Sequence, residues 1–160
     1  MQRMNATVDQ HDEQPVPFCE ASVADAMSHG VIHCTPETPL RAVARIMATY
    51  NVHAVYVFDF GDEADESVEL WGLVSDLDVA AAACGEVDGR TAGSSAITPL
   101  VTVTSDQPLA DAAELMSLKG TAHLAVLDPF THRPVGVVST LDVARAIAVG
   151  QGVREVQASA

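Results

Sequence analysis

Apolar positions along this chain switch between a period of two and a period near 3.6, and the same succession of periods runs twice. In the first pass, Val31-Ile32-His33-Cys34 is a short β-favouring run after a helical turn over residues 22–27, where Ser22 is the N-cap and Asp25 the acid three places on. Thr35-Pro36-Glu37-Thr38-Pro39 breaks the chain, with Thr38 placed as N-cap and Pro39 at the first helical position. Leu40, Val43, Ala44, Ile46 and Met47 then predict a helix over 40–49 with one buried face. Residues 52–60 and 68–74 read as two strands, joined by the acidic stretch Gly61-Asp62-Glu63-Ala64-Asp65-Glu66-Ser67, a solvated hairpin tip. Ser75 ends the second strand, and a helix over 77–84 stops at Gly85.

The second pass repeats the order. Residues 100–103 are β-like, Ser105-Asp106-Gln107-Pro108 opens a helix over 109–118, and strands follow at 123–127 and 135–138. Ser139 and Asp142 open a last helix reaching Val149. The register can be checked residue by residue. A shift of 69 places Pro39-Leu40 on Pro108-Leu109, Met47 on Met116 and Val57 on Val126. After the hairpin the shift becomes 64, placing Gly72 on Gly136, Ser75 on Ser139 and Asp78 on Asp142. The difference of five falls in the acidic tip, where insertions are tolerated. Each unit is about 60 residues, near the lower limit for folding alone, so the two are expected to bury sheet faces on each other.

Composition narrows the class. Apolar residues make up 48% of 160, with only 4% aromatic, so the core must come from small and branched aliphatic side chains. The net charge of -14 argues against nucleic-acid and anionic-membrane partners, which need a basic footprint. Cys19, Cys34 and Cys84 are sparse and odd in number, which fits reduced thiols; with no long apolar run and no signal-peptide pattern, a cytoplasmic protein is expected. His33 and Cys34 are adjacent on a strand and point to opposite faces, so no metal site is expected. A nucleophile elbow, a P-loop, a zinc-protease helix and a dinucleotide glycine fingerprint are all missing from the sequence, so no enzyme is expected.

Two tandem units, each with a Pro-Leu-started, Met-containing helix, a Val-rich hairpin and a Gly-h-h-Ser-x-x-Asp phrase (Gly72 to Asp78, Gly136 to Asp142), resemble the CBS (cystathionine β-synthase) domain pair, or Bateman module. The resemblance spans roughly residues 18–150. It implies an α/β (α+β) fold of two β-α-β-β-α CBS repeats packed with pseudo-twofold symmetry. The boundaries expected are a flexible tail 1–17, repeat one 18–85, a linker 86–95, repeat two 96–150 and a C-terminal tail 151–160. It also implies a stand-alone regulatory module without a cofactor. Such a module binds an adenine nucleotide (AMP, ADP or ATP) or another adenosyl compound in clefts between the repeats, forms a homodimer and signals to a partner protein whose identity is unknown. A ligand-free dimeric interaction scaffold is the alternative, using the Ala-rich helix faces.

Each Ser-x-x-Asp corner supports two readings. Ser at the N-cap with an acid three residues on is close to a capping box. The same corner offers amide groups and a helix dipole to a phosphate, a hydroxyl donor from Ser, and a carboxylate that accepts from ribose hydroxyls. The resemblance assigns ribose and phosphate contacts to Ser139, Asp142, Ser75 and Asp78, and a base-lining wall to Val101, Thr102, Thr104, His123, Leu124, Ile32, His33, Thr35, His53 and Val55. Arg145, one turn into the last helix, is the nearest cation for a phosphate. Family members carry Thr where His33 and Thr102 stand, and Pro where Tyr56 and Ala125 stand. Thr102 fits, His33 departs, and Tyr56 is expected to block or reshape the first cleft. The cleft built on Ser139 and Asp142 is therefore the better binder expected.

Overall fold

The computed structural model describes residues 16–60, 68–96 and 99–150. The acidic stretch 61–67, most of the N-terminal tail and residues 151–160 lie outside the described residues. In chain order the elements are α1 Val23–Ala26, β1 Ser28–His29, β2 His33–Cys34, α2 Leu40–Tyr50, β3 Ala54–Phe60, β4 Val68–Ser75 and α3 Asp76–Ala83. The second half adds α4 Ala92–Ser95, β5 Thr102–Thr104, α5 Leu109–Lys119, β6 His123–Leu127, β7 Pro134–Ser139 and α6 Thr140–Gly150.

Two sheets form, one in the order β2-β3-β4 and one in the order β1-β7-β6-β5. Their central strands are buried on both faces, which accounts for Val55-Tyr56-Val57 and Leu124-Ala125-Val126 reading as unbroken apolar runs. Val55 and Val57 pack with Leu40, Val43 and Met47 of α2, while Leu124 and Val126 pack with Leu109, Ala112 and Met116 of α5. The alternate residues, Ala54, Tyr56, Leu73 and Ala125, form a third cluster between the sheets. Helices thus cover the outer face of each sheet and the inner faces bury each other.

Tyr56 is the bulkiest member of that inner layer and is 1% exposed. In β6, the register slips between Val126 and Leu127, opposite Gly136 and Pro134 of β7. Such a bulge loosens the ladder, and the Tyr56 hydroxyl fills the gap from the other sheet. It accepts from the Val126 N–H at 3.2 Å and donates to the Gly136 carbonyl. In the repeat register the residue matching Tyr56 is Ala125, so a large side chain on one sheet meets a small one on the other.

The segments that lead into each repeat cross over to the opposite one. Residues 21–29 dock on the second half: Ala21 and Val23 lie in its core, and β1 pairs antiparallel with β7 (Ser28 with Val137, His29 with Gly136). Gly136 permits this, since a Cβ there would lie 2.2 Å from the Ser28 carbonyl oxygen. Residues 90–95 dock on the first half, with Ala92 in its core. The stretch expected as a linker therefore contains α4, which is capped by Thr91, whose Oγ1 accepts from the Ser94 N–H at 3.3 Å.

This crossing also corrects the expected cap of the first long helix, while the second starts at Leu109 as expected. Pro39 and Pro108 are the N-caps, held extended at ψ 138° and 137°, and Leu40 and Leu109 are the first helical residues. The Leu40 N–H donates to the Arg90 carbonyl and the Leu109 N–H to the Ala21 carbonyl, each at 2.9 Å. Thr38 is thereby displaced from the cap; its Oγ1 accepts from the Thr35 N–H at 3.1 Å instead.

Candidate functional site

Both strand-to-helix corners close as reciprocal capping boxes. At the second corner the Asp142 Oδ2 accepts from the Ser139 N–H at 2.8 Å and from the Ser139 hydroxyl at 2.7 Å, while the Ser139 Oγ accepts from the Asp142 N–H at 3.3 Å. The first corner repeats this with Ser75 and Asp78 at 2.7, 2.7 and 3.3 Å. The next amide is engaged as well: the Thr140 N–H donates to the Ala122 carbonyl and the Asp76 N–H to the His53 carbonyl. The capping reading is what the corners adopt, and the serine proton goes to the aspartate. What remains for a ligand at the second corner is the Leu141 N–H of the first helical turn and the Asp142 Oδ1, with the Arg145 Nη1 3.5 Å from it.

The surroundings of the two corners differ. Ser139, Asp142, Leu141 and Arg145 form one side of a cavity of about 270 Å³. Its other side comes from the first half: Ile32, the stretch from Asn51 to Ala54, and Tyr56. Ser28, His29 and Gly30, brought over by the pairing of β1 with β7, and His123 and Val137 complete it. At Ser75 the corresponding space is about 10 Å³, lined by Leu73, Leu100, Val101, Thr121 and His123. Each corner thus faces the other repeat's wall, and His123 borders both spaces.

Among the residues expected at the site, Ser139, Asp142, Arg145, Ile32, His53 and His123 meet in the larger cavity. Ser75 and Val101 line the small one, and Asp78 caps α3 beside it. Besides Asp78, six of them line neither cavity. Val55 and Leu124 point into the helix-facing cores, as the strand period requires of neighbours of Ala54 and His123. His33 is exposed, its ring 5.3 Å from Phe58, and Thr35 lies in the turn before α2. Thr102 is exposed on β5, and the Thr104 hydroxyl donates to Asp106 at 2.6 Å in the turn before α5. Tyr56, placed by sequence in the first cleft, instead lines the one at Ser139, because the clefts are built across the repeats.

Ser28, His29 and Gly30 carried no periodic signal, since β1 is only two residues long. Tyr56 did carry one: its pairing with Ala125 in the repeat register marks a large-to-small contact between the sheets.

The electrostatics of the larger cavity are dominated by imidazoles and carboxylates. His53 Nδ1–H donates to Asp76 Oδ2 at 2.8 Å. Burial pushes the His123 imidazole below the ordinary histidine value and His53 adds to this, while Asp76, Asp142 and Asp78 pull the other way. No group of three or more His, Cys, Asp or Glu among the described residues is arranged to hold a metal ion. Likewise, no helix among the described residues is long and apolar enough to cross a membrane.

The CBS domain family model matches residues 23–85 and 94–149. No curated protein matches the chain. Among solved structures, the chain is similar to the CBS domain pair of protein MJ0100 in complex with methylthioadenosine and S-adenosyl-L-methionine. The identity is 22%, with 82% of this chain and 98% of that one covered and a TM-score of 0.68. It is similar to Hypoxic Response Protein I with two coordinated zinc ions at 26% identity, covering 78% and 98%, with a TM-score of 0.58. It is also similar to CBSX2 in complex with AMP at 23% identity, covering 79% and 96%, with a TM-score of 0.59.

Proposed function

The chain belongs to the CBS domain family, with two copies of the domain in tandem, and from that premise we propose that it is a ligand-sensing regulatory module. CBS domain pairs are regulatory modules rather than catalytic domains. The ligand is an adenine nucleotide or adenosyl compound, held in the cleft at Ser139 and Asp142. The observation that carries this reading is the asymmetry of the corners: about 270 Å³ is open at Ser139 and about 10 Å³ at Ser75. The open volume approaches the size of ordinary ligand pockets, and the closed one holds no more than a water. In this reading Asp142 Oδ1 accepts from ribose hydroxyls, and Ile32, Ala54, Tyr56 and Val137 offer apolar surface to a base. That MJ0100 and CBSX2 were solved with adenosyl ligands supports the ligand class.

The module signals by changing how it meets another protein. Leu77 at 66% exposure on α3, Leu118 at 75% on α5, and Ile147 and Val149 on α6 support an assembly surface on the helices, for a second copy of the chain or for a regulated partner. A thermal-shift panel of AMP, ADP, ATP with Mg²⁺ and S-adenosylmethionine tests the reading. A native-state ligand at about a hundred times its Kd stabilises by about 2.7 kcal/mol. If none of these compounds moves the melting temperature at millimolar concentration, the sensing function is lost, and the ligand-free scaffold takes its place.

A further inference from the structure

The open cleft gathers His29 on β1, His53 before β3 and His123 on β6 around one cavity. Arg145 is the one permanent cation among its lining residues, and it stands 68% exposed with its Nη1 3.5 Å from Asp142. Of the charged groups facing His53, Asp76 on α3 is bonded to it. His123 is influenced by Asp76 and Asp78 on α3, by Asp142 on α6 and by His53. Most donors that a helix start would offer a phosphate are engaged within the corner: Ser139 N–H and hydroxyl on Asp142, Thr140 N–H on Ala122, and Asp142 N–H on Ser139, which leaves the Leu141 N–H of the first turn. A phosphate in this cavity meets a carboxylate, a guanidinium already shared with that carboxylate, a single free amide and three imidazoles. An uncharged nucleoside meets no such opposition, since Asp142 Oδ1 accepts from hydroxyls.

Resting on the adenosyl-binding reading above, we infer that the cleft sorts adenosyl ligands by charge: it takes an uncharged nucleoside independently of pH, and an anionic one more tightly together with protons on the imidazoles that line it. The sign follows from linkage. Burial favours the neutral form of His123. An anion beside the imidazoles raises their proton affinity, so binding takes up protons, and anion affinity rises as pH falls. An uncharged ligand changes that proton affinity little, and its Kd stays flat.

Titration calorimetry on the full chain between about pH 8 and about pH 6 tests this, with three probes: adenosine, AMP and adenosine 5′-sulfate, whose charge does not change in this range. One linked proton changes Kd by up to about tenfold per pH unit. AMP and the sulfate are expected to tighten at least about tenfold across the range, and adenosine by less than about twofold. In two buffers of different ionisation enthalpy, both anionic probes should take up protons and adenosine none. The triple replacement His29→Gln, His53→Gln, His123→Gln should abolish the slope, and the buffer measurement on the unaltered protein stands whether or not that variant folds. A flat sulfate profile, or a slope shared by adenosine, overturns the charge-sorting inference and leaves the adenosyl reading intact. If none of the three probes binds, the adenosyl reading itself fails.

Discussion

Replacing Tyr56 with Phe removes one oxygen from the layer between the sheets and leaves the ring in place. The lost atom is the partner of two backbone groups, the Val126 N–H at the β6 bulge and the Gly136 carbonyl. Tyr56 is 1% exposed, so water does not reach that point. Leaving a buried donor or acceptor unpaired costs about 1–3 kcal/mol. Part of this is offset because Phe has no hydroxyl to desolvate, so Tyr56→Phe is expected to lose about 2–3 kcal/mol, or roughly 5–10 °C of melting temperature for a chain this size. Alkaline titration gives a second readout. Burial raises the Tyr56 phenol well above the ordinary tyrosine value, with its bond to Val126 opposing only in part. The folded state therefore keeps a proton that the unfolded chain releases above about pH 10, and stability should fall as pH rises beyond that point. Urea denaturation at about pH 8 and about pH 10.5 measures both effects. A loss below about 0.5 kcal/mol at the lower pH, or an alkaline decline equally steep in Tyr56→Phe, would refute the clamp.

Gly136→Ala should detach β1 from β7, because its Cβ would lie 2.2 Å from a backbone oxygen that cannot turn aside. Overpacking of this kind costs about 1–3 kcal/mol, and hydrogen exchange should show faster exchange at Gly30, whose N–H donates to the Val135 carbonyl. Asp142→Ala and Asp78→Ala each remove a capping acid, with an expected loss of about 1 kcal/mol apiece. Only Asp142→Ala should also abolish the ligand-induced thermal shift, and equal ligand responses in the two variants would contradict the assignment to the second corner. The scaffold and assembly reading predicts that Leu118→Glu lowers the oligomeric mass in sedimentation; an unchanged mass would remove α5 from the interface.

The elements were legible wherever the chain carried a local period. The Leu40 to Met47 spacing, the Val-rich central strands and the Ser-x-x-Asp phrases each depend on neighbours within a few residues, and all are observed close to where the pattern puts them. The repeat register went further, because two copies of one pattern imply two sheets with facing inner surfaces. The start of the first long helix was less legible: Pro39, not Thr38, became its cap because the Arg90 carbonyl binds the next amide, which no local signal reports.

By itself, then, the sequence determined the repeat, the order of strands and helices in each copy, and the two corners, all set by local sterics and periodic burial. The tertiary structure alone decided that the leading segments exchange repeats, since β1 is two residues long and has no identity until Gly136 lets it approach. It also replaced the reason for favouring the Ser139 corner: Tyr56, expected to block the other cleft, lines the open one. The difference rests on contacts between the two halves, which no local signal reports. Ser139 faces Ile32, His53 and Tyr56 across a cavity, whereas Ser75 faces Leu100 and Val101 with almost none.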